Sequence, residues 1–340
     1  SGSHFNTVLY TGTGGAQSIT GVGFQPDMVW VKSRSEAYQP GIVDSVRGAE
    51  KYLSPSETDA EATSSGAVDS FDSDGFGFGG SGTVWNGTGA TFASWNFFAA
   101  AANAANTDGS ISTVVRANTD SGFSIVSFSG NETGGATIGH GLSSAPEFVV
   151  IKKRFAGGNQ WKCGFDVGST YSGFKRPLSL STTVAQIGYD DGGFFNSTSP
   201  SATVVTLGNY GDTNGSGTMI AYCLHSVTGF SKIGSYTGNG NSDGTFVYTG
   251  FRPAWLMTRQ IAGTNGWFMV DDKRDPMNPA GTDYLFASET DASTTTNDKL
   301  IDLVSNGFKA RESTGYFNDD GVQYLYIAFA SAPLKYTLAR

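Results

Sequence analysis

Residues 23–34 read GFQPDMVWVKSR, and this stretch occurs three times in the chain. The second copy, SSAPEFVVIKKR, occupies residues 143–154, and the third, GFRPAWLMTR, occupies residues 250–259. In each copy a proline precedes an apolar run, which is typical of a strand in the core of a β-sandwich. The prolines lie 120 and 107 residues apart. The stretch therefore predicts three homologous units of about 110 residues, the usual size of one β-sandwich domain.

Other landmarks recur in the same order around this stretch. Residues 53–60, LSPSETDA, match LFASETDA at 285–292, and the middle copy is degenerate there. Each unit closes on an apolar strand that begins with glycine. We expect units at residues 5–105, 106–228 and 229–340, either as three sandwiches in tandem or as one compact pseudo-threefold body. Residues 1–4, SGSH, are expected to be a cloning scar.

The composition favours β-structure with tight turns. Glycine accounts for 47 of 340 residues and aromatic residues for 13%. Aromatic and β-branched side chains suit a pleated surface, while glycine permits positive φ in turns. No segment has a sustained helical period, and residues 57–62 are the best candidate for one helical turn. We predict an all-β fold of three tandem homologous β-sandwich repeats, of jelly-roll or lectin-like type.

Charge and residue counts exclude several classes of partner. The net charge is −9 and the nearest approach to a basic patch is Lys152–Arg154, so no nucleic-acid partner is expected. No apolar run approaches the roughly 20 residues that span a bilayer. Two cysteines and three histidines do not complete a zinc cage without carboxylates, and we expect no cofactor. Cys163 and Cys223 are predicted to be small buried hydrophobes, and whether they are bonded stays open. Cys223 aligns with Trp95 and Ile327.

Three segments carry a resemblance to a known family: residues 23–34, 53–62 and 236–250. With them the chain resembles uncharacterised repeat proteins of bacteriophages, notably marine phages, that lie among tail-fibre and other virion structural genes. The resemblance extends from Val8 to Tyr336. It implies a location on the virion surface, other virion proteins as partners and a role in host attachment. It also implies a homotrimer, the common state of fibres, and it carries over no catalytic residues.

Trp85 and Asn86 are the candidate ligand-binding residues. Trp85 lies in a loop among Gly82, Thr83, Asn86 and Gly87. An exposed tryptophan beside polar side chains is suited to stacking on a sugar face. The alternative is that this loop tryptophan caps the core. The remaining tryptophans of the repeated strands, Trp30, Trp161, Trp255 and Trp267, are predicted to be core residues.

Acidic residues form two further patterns. Asp44 with Arg47, and Asp271 with Arg274, recur at the same spacing and are predicted to be structural ion pairs that pin a turn, while the middle copy has Asp166 and Ser169 there. Asp69, Asp72 and Asp74 form a weak candidate calcium site, since Ca²⁺ takes several oxygen ligands. The spacing of a calcium-binding loop is absent, and the following Gly75 favours a hairpin turn instead.

These observations predict a non-catalytic virion adhesin that binds a host surface glycan or receptor. The first alternative is a structural virion protein, a decoration or fibre-shaft component without a ligand. The second alternative is a capsule depolymerase, which needs two carboxylates at a defined separation across a sugar. The sequence offers acids for that role without a way to pair them, namely Glu36, Glu57, Asp190, Asp191, Asp319 and Asp320.

Overall fold

The computed structural model describes residues 4–80, 82, 84–168, 172–186, 190–276, 278, 281–296, 299–313 and 315–330. Within these ranges nearly all regular structure is antiparallel β-sheet, which confirms the all-β prediction. The helices are two single turns, α1 (Gly192–Phe195) and α2 (Gly211–Asn214). The helical turn expected at residues 57–62 is wrong, because Ala62–Thr63 is a strand and residues 57–61 contain no helix.

The first third of the chain forms a large and a small sheet. Its strands are β1 (Phe5–Thr11), β2 (Gln17–Thr20), β3 (Met28–Ser33), β4 (Gly41–Asp44), β5 (Lys51–Leu53), β6 (Ala62–Thr63), β7 (Ser70–Asp72), β8 (Gly75–Phe78) and β9 (Thr91–Phe97). The large sheet has the order β1-β9-β3-β4-β5-β6, and the small sheet has the order β2-β8-β7.

The middle of the chain repeats this plan with an extra edge. Its strands are β10 (Ala104–Asn106), β11 (Thr113–Asn118), β12 (Phe123–Gly130), β13 (Thr137–Gly139), β14 (Phe148–Lys153), β15 (Lys162–Phe165), β16 (Leu178–Ser179), β17 (Val204–Thr206) and β18 (Gly217–Leu224). The large sheet has the order β10-β11-β12-β18-β14-β15-β16, and β13 pairs with β17 in the small one.

The last third has the strand order of the first. Its strands are β19 (Ser231–Thr237), β20 (Phe246–Tyr248), β21 (Trp255–Gln260), β22 (Phe268–Asp271), β23 (Thr282–Phe286), β24 (Thr294–Thr296), β25 (Ile301–Val304), β26 (Gly307–Ala310) and β27 (Gln323–Phe329). The large sheet is β19-β27-β21-β22-β23-β24, and the small sheet is β20-β26-β25.

The three large sheets share one hydrophobic core. A single cluster of buried side chains contains Trp30 from the first sheet, Trp161 from the second and Trp255 from the third. Each large sheet also packs its other face against its own small sheet, around a separate cluster. On β3, for example, Trp30 faces the shared core and Val29 faces the small sheet. Burial of both faces explains why these strands read as continuous apolar runs.

The strand register corrects the alignment of one cysteine. Trp95 pairs with Trp30, and the residue that pairs with the corresponding Val150 is Tyr222, not Cys223. Cys223 therefore faces the second small sheet instead of the shared core. Both cysteines are buried, as predicted, and both are free, which settles the open question of a bond between them. Burial raises the pKa of each thiol, that of Cys223 to about 12.

Buried cations join neighbouring sheets in a cycle. Lys32, Lys152 and Arg259 occupy the same position of the repeated stretch, and none has more than 1% of its surface exposed. Each donates to a backbone carbonyl of the next sheet's connecting loop: Lys32 to Thr290 at 2.8 Å, Lys152 to Thr58 at 3.0 Å and Arg259 to Val184 at 2.9 Å. The first large sheet thus contacts the third, the second contacts the first, and the third contacts the second, so the contacts close a ring.

Two tryptophans reinforce the same contacts between sheets. The indole of Trp161 donates to the carbonyl of Ser54 at 2.9 Å, and that of Trp267 donates to the carbonyl of Ser179 at 2.9 Å. Both tryptophans, like Trp30 and Trp255, are core residues as predicted. No helix in the described part of the chain is long and apolar enough to cross a bilayer.

Candidate functional site

Trp85 is a core residue of the first sandwich. Only 4% of its surface is exposed, and its indole donates to the carbonyl of Gln39 at 2.9 Å. Its ring lies edge-on to Tyr52, with centroids 4.7 Å apart. A Cβ on Gly41 would come within 2.3 Å of the Trp85 ring, so glycine is needed there. The prediction of an exposed Trp85 is wrong, because its loop folds back over the core and the ring fills the space between the sheets.

Asn86 fastens this loop to the end of β1. It is fully buried, its side-chain oxygen accepts from the backbone N–H of Thr13 at 3.0 Å, and its amide donates to the carbonyl of Gly15 at 2.6 Å. Asn214 and Asn318 make the matching contacts in the other two sandwiches. Asn86 is thus one of three asparagine clamps, and its hydrogen-bonding groups are used within the protein.

The two predicted ion pairs are present and buried. Arg47 Nε lies 2.5 Å from Asp44, and Arg274 Nε lies 2.7 Å from Asp271, with no exposed side-chain surface in any of the four residues. In each pair the aspartate also accepts the backbone N–H of its arginine at 2.9 Å. The pairs therefore hold the turn after β4 and after β22.

In the second large sheet this position is apolar. By strand register, the residue that corresponds to Asp44 is Phe165, not Asp166 as the alignment suggested, and Ser169 lies outside the described residues. The residue of the neighbouring large sheet that contacts this position differs in the same way. Tyr222 donates to Asp44 at 2.7 Å and Trp95 donates to Asp271 at 3.3 Å. Polar partners therefore face the two aspartates. In the second large sheet Phe165 stands at the aspartate position. Ile327 occupies the strand position that corresponds to Tyr222 and Trp95.

The candidate calcium residues act separately. Asp74 accepts the backbone N–H groups of Gly21 at 3.0 Å and Gly23 at 2.7 Å, and these bonds lower the pKa of its carboxyl group. Among the described residues, no group of three or more histidines, cysteines or acids is arranged to hold a metal ion. Asp69, Asp72 and Asp74 follow the hairpin-turn alternative, with Asp74 fixing the loop before β3.

An aromatic surface lies on the third small sheet, where the sequence did not indicate a site. Phe246 is 47% exposed and Tyr248 is 66% exposed, whereas Val247 between them is buried in the core. This is the alternation of a strand with one wet face. Phe246 pairs with Lys309 and Tyr248 with Gly307, so all four residues share the outer face. We call Phe246 and Tyr248 the aromatic platform.

Charged side chains border the platform. Lys309 Nζ lies 2.5 Å from Asp243, and this hydrogen bond lowers the pKa of the Asp243 carboxyl group. On β25, across from Lys309, Asp302 accepts from Arg311 at 2.6 Å. The charges are paired with one another, so the rim offers donors and acceptors without a strong net field. A ring pair with such a rim can contact apolar and hydroxyl groups of one ligand.

The platform is particular to the third sandwich. The equivalent outer positions are Ser18 and Thr20 on β2, which are exposed, and Thr137 and Gly139 on β13, which are half-buried and buried. Core positions between them stay apolar in all three, as Ile19, Ile138 and Val247. Since structure does not demand aromatic residues at these outer positions, their presence in one copy points to a contact with another molecule. The alternating sequence FVY was the signal that sequence reasoning missed.

Comparison with curated proteins and with solved structures gave no match. A family model described as a domain of unknown function, DUF7483, matches residues 1–333, nearly the full length of the chain. The match spans all three sandwiches, including the platform, the asparagine clamps and the buried ion pairs. The chain belongs to the DUF7483 family.

Proposed function

We propose that the protein is a non-catalytic adhesin that binds a bacterial surface glycan through the aromatic platform. The observation that carries this proposal is the exposure of Phe246 and Tyr248 on one strand face whose counterparts are small or polar. Sugar rings present C–H groups that pack on aromatic faces, and their hydroxyls bind to polar groups beside them. The paired charges of Lys309, Asp243 and Arg311 provide such groups.

We place this adhesin on the virion surface, among other virion proteins. The support is the resemblance of residues 23–34, 53–62 and 236–250 to phage virion repeat proteins. A single shallow platform binds weakly, and several copies on one particle multiply the binding by effective concentration. A homotrimer, the state expected for a fibre, presents three platforms, and sedimentation of the purified chain tests that state.

The first experiment is retention of the labelled chain on an array of bacterial surface glycans. We expect selective retention that Tyr248→Ala and Phe246→Ala each reduce. Phe155→Ala is the matched control, because Phe155 is 70% exposed but belongs to the second sandwich. Retention that is equal for all four proteins would refute the platform as the binding site.

The same experiment separates the alternatives. Absence of retention on every glycan, with a folded chain, would favour the structural virion protein. Release of oligosaccharides from bound capsule would favour the depolymerase. In that case the acid to replace first is Asp319, which accepts from Gln260 at 2.7 Å in an open groove of the third sandwich.

A further inference from the structure

A groove of about 440 Å³ lies on the third sandwich, where β21 ends and β27 begins. Its walls include Gln260 and Gln323 from the two strands and Asp319 from the preceding loop. This volume is within the range of about 300–1,000 Å³ that is usual for small-molecule sites.

The groove is open because two small residues follow β21. Ala262 and Gly263 stand two and three residues after Gln260. In the second sandwich the counterpart of Ala262 is Phe155, whose ring would lie 3.2 Å from a Cβ on Gly217. The ring therefore covers the strand start there. In the first sandwich Ser35 accepts the backbone N–H of Thr91 at 3.0 Å and occupies the same region.

A fixed set of polar atoms lines the open groove. The amide nitrogen of Gln260 donates to the carbonyl of Gly315 at 3.1 Å, to Asp319 at 2.7 Å and to the hydroxyl of Tyr324 at 3.2 Å. These contacts fix the orientation of the Gln260 amide, since they occupy both N–H groups of its nitrogen. The oxygen of Gln260 lies 1.7 Å from where a Cβ on Gly263 would be, so the missing side chain of Gly263 leaves that acceptor room.

The groove is rich in acceptors. The side-chain oxygen of Gln323 is buried and has no hydrogen-bond partner among the described residues. An unsatisfied buried acceptor is unfavourable, so a donor that reached it from the groove would stabilise the bound state. The carboxylate of Asp319 already accepts from Gln260 and, at 2.6 Å, from the backbone N–H of Gly315. Apart from Asp319, the polar side chains that line the groove, Thr237, Gln260 and Gln323, are neutral, and they suit the hydroxyl groups of a sugar.

A hydrogen bond links the groove to the strand that carries the aromatic platform. Thr245, next to Phe246 in the chain, donates its hydroxyl to the carbonyl of Thr237 at 2.9 Å, and Thr237 lines the groove. We infer that the groove binds a neutral hexose residue through its hydroxyl groups, adjacent to the sugar that stacks on Phe246 and Tyr248. This inference rests on the proposed function and adds a second subsite to it.

Ala262→Phe tests the inference by closing the groove as Phe155 closes its counterpart. The probes are neutral homo-oligosaccharides of glucose, galactose and mannose, from one to four residues, titrated by calorimetry. For the best probe we expect at least a tenfold loss of affinity in Ala262→Phe and none in Phe155→Ala. Gln323→Leu is the second variant, because it removes the unpartnered acceptor without breaking a hydrogen bond to a described residue. Thermal melting checks that each variant is folded.

The outcomes distinguish the two proposals. Equal affinity of wild type, Ala262→Phe and Gln323→Leu, with loss in Tyr248→Ala, would overturn the groove and leave the platform. Loss in the groove variants but not in Tyr248→Ala would overturn the platform and support the groove. Wild-type protein that binds none of the neutral oligosaccharides would overturn the neutral-hexose groove, whereas the platform is refuted by the glycan array. Binding that requires an amino sugar would overturn the assignment of a neutral hexose.

Discussion

Lys152 holds two large sheets together, and burial of its ammonium group disfavours the charged form. It has no exposed surface, and its ammonium group donates to the carbonyls of Thr58 and Asn159 at 3.0 and 2.7 Å. Burial lowers its pKa to about 8, and the carboxylates of Asp212 and Asp59 oppose that shift only in part. The unfolded chain therefore keeps the proton to higher pH than the folded chain does.

This difference predicts a pH dependence of stability. Between pH 8 and pH 10 the unfolded state binds more protons at Lys152, so the free energy of unfolding rises with pH, by roughly 2 kcal/mol from this residue. The measurement is urea unfolding of wild type and Lys152→Met at both pH values. The advantage of wild type over the variant should grow at pH 10, and an advantage that stays constant or shrinks would contradict the lowered pKa.

Trp85 gives a second prediction for a single residue. Trp85→Ala removes a buried ring and should lower the free energy of unfolding by about 3–5 kcal/mol. Glycan affinity of the folded variant should stay at the wild-type value, because the platform lies on another sandwich. Tyr248→Ala is the control for stability, with an expected change within about 0.5 kcal/mol. A stable Trp85→Ala that loses glycan binding would restore Trp85 as a ligand residue.

The burial of Trp85 was hard to predict because most of its neighbours in the sequence are small or polar. Its position depends on a loop that returns over the sheet and is fastened by Asn86. A comparison of the first and third units indicates the burial of Trp85. Trp85-Asn86 corresponds to Phe317-Asn318, and Phe317 is fully buried. Tyr10 and Tyr236 donate to the carbonyls of Trp85 and Phe317 at 2.7 and 2.8 Å.

Among the elements, the long strands were the easiest to anticipate. The runs at Met28, Phe148 and Trp255 are apolar on both faces, and the structure buries both faces between a shared core and a small sheet. The short outer strands were harder. In β20 the aromatic residues point outward and valine points inward, the reverse of what side-chain size alone predicts. The aromatic platform could therefore be recognised only from the orientation of β20 in the structure.

The contact between the second and first large sheets gives a prediction for an element. Tyr222 on β18 donates to Asp44 at 2.7 Å, in the turn that Arg47 holds after β4. Tyr222→Phe should lower the free energy of unfolding by about 2 kcal/mol, since the buried carboxylate loses a donor. Tyr326→Phe on β27 is the matched control, because its hydroxyl makes no hydrogen bond to a described residue. Equal stability of both variants would show that the bond contributes nothing.

Over the whole molecule, the shared core and the cyclic contacts predict one cooperative unit. Removal of one sheet would expose the apolar faces of the other two, so partial unfolding is unfavourable. Denaturant unfolding followed by tryptophan fluorescence and by far-ultraviolet circular dichroism should give coincident single transitions. Separate transitions would indicate sandwiches that fold independently, as in a tandem array.

Ligand binding by the aromatic platform is tested most directly by a titration. The glycan that the array selects is titrated into wild type, Tyr248→Ala and Phe155→Ala by calorimetry. We predict that Tyr248→Ala binds at least tenfold more weakly, about 1.4 kcal/mol, while Phe155→Ala binds as wild type does. Equal affinities for all three proteins would show that Phe246 and Tyr248 are not the binding surface.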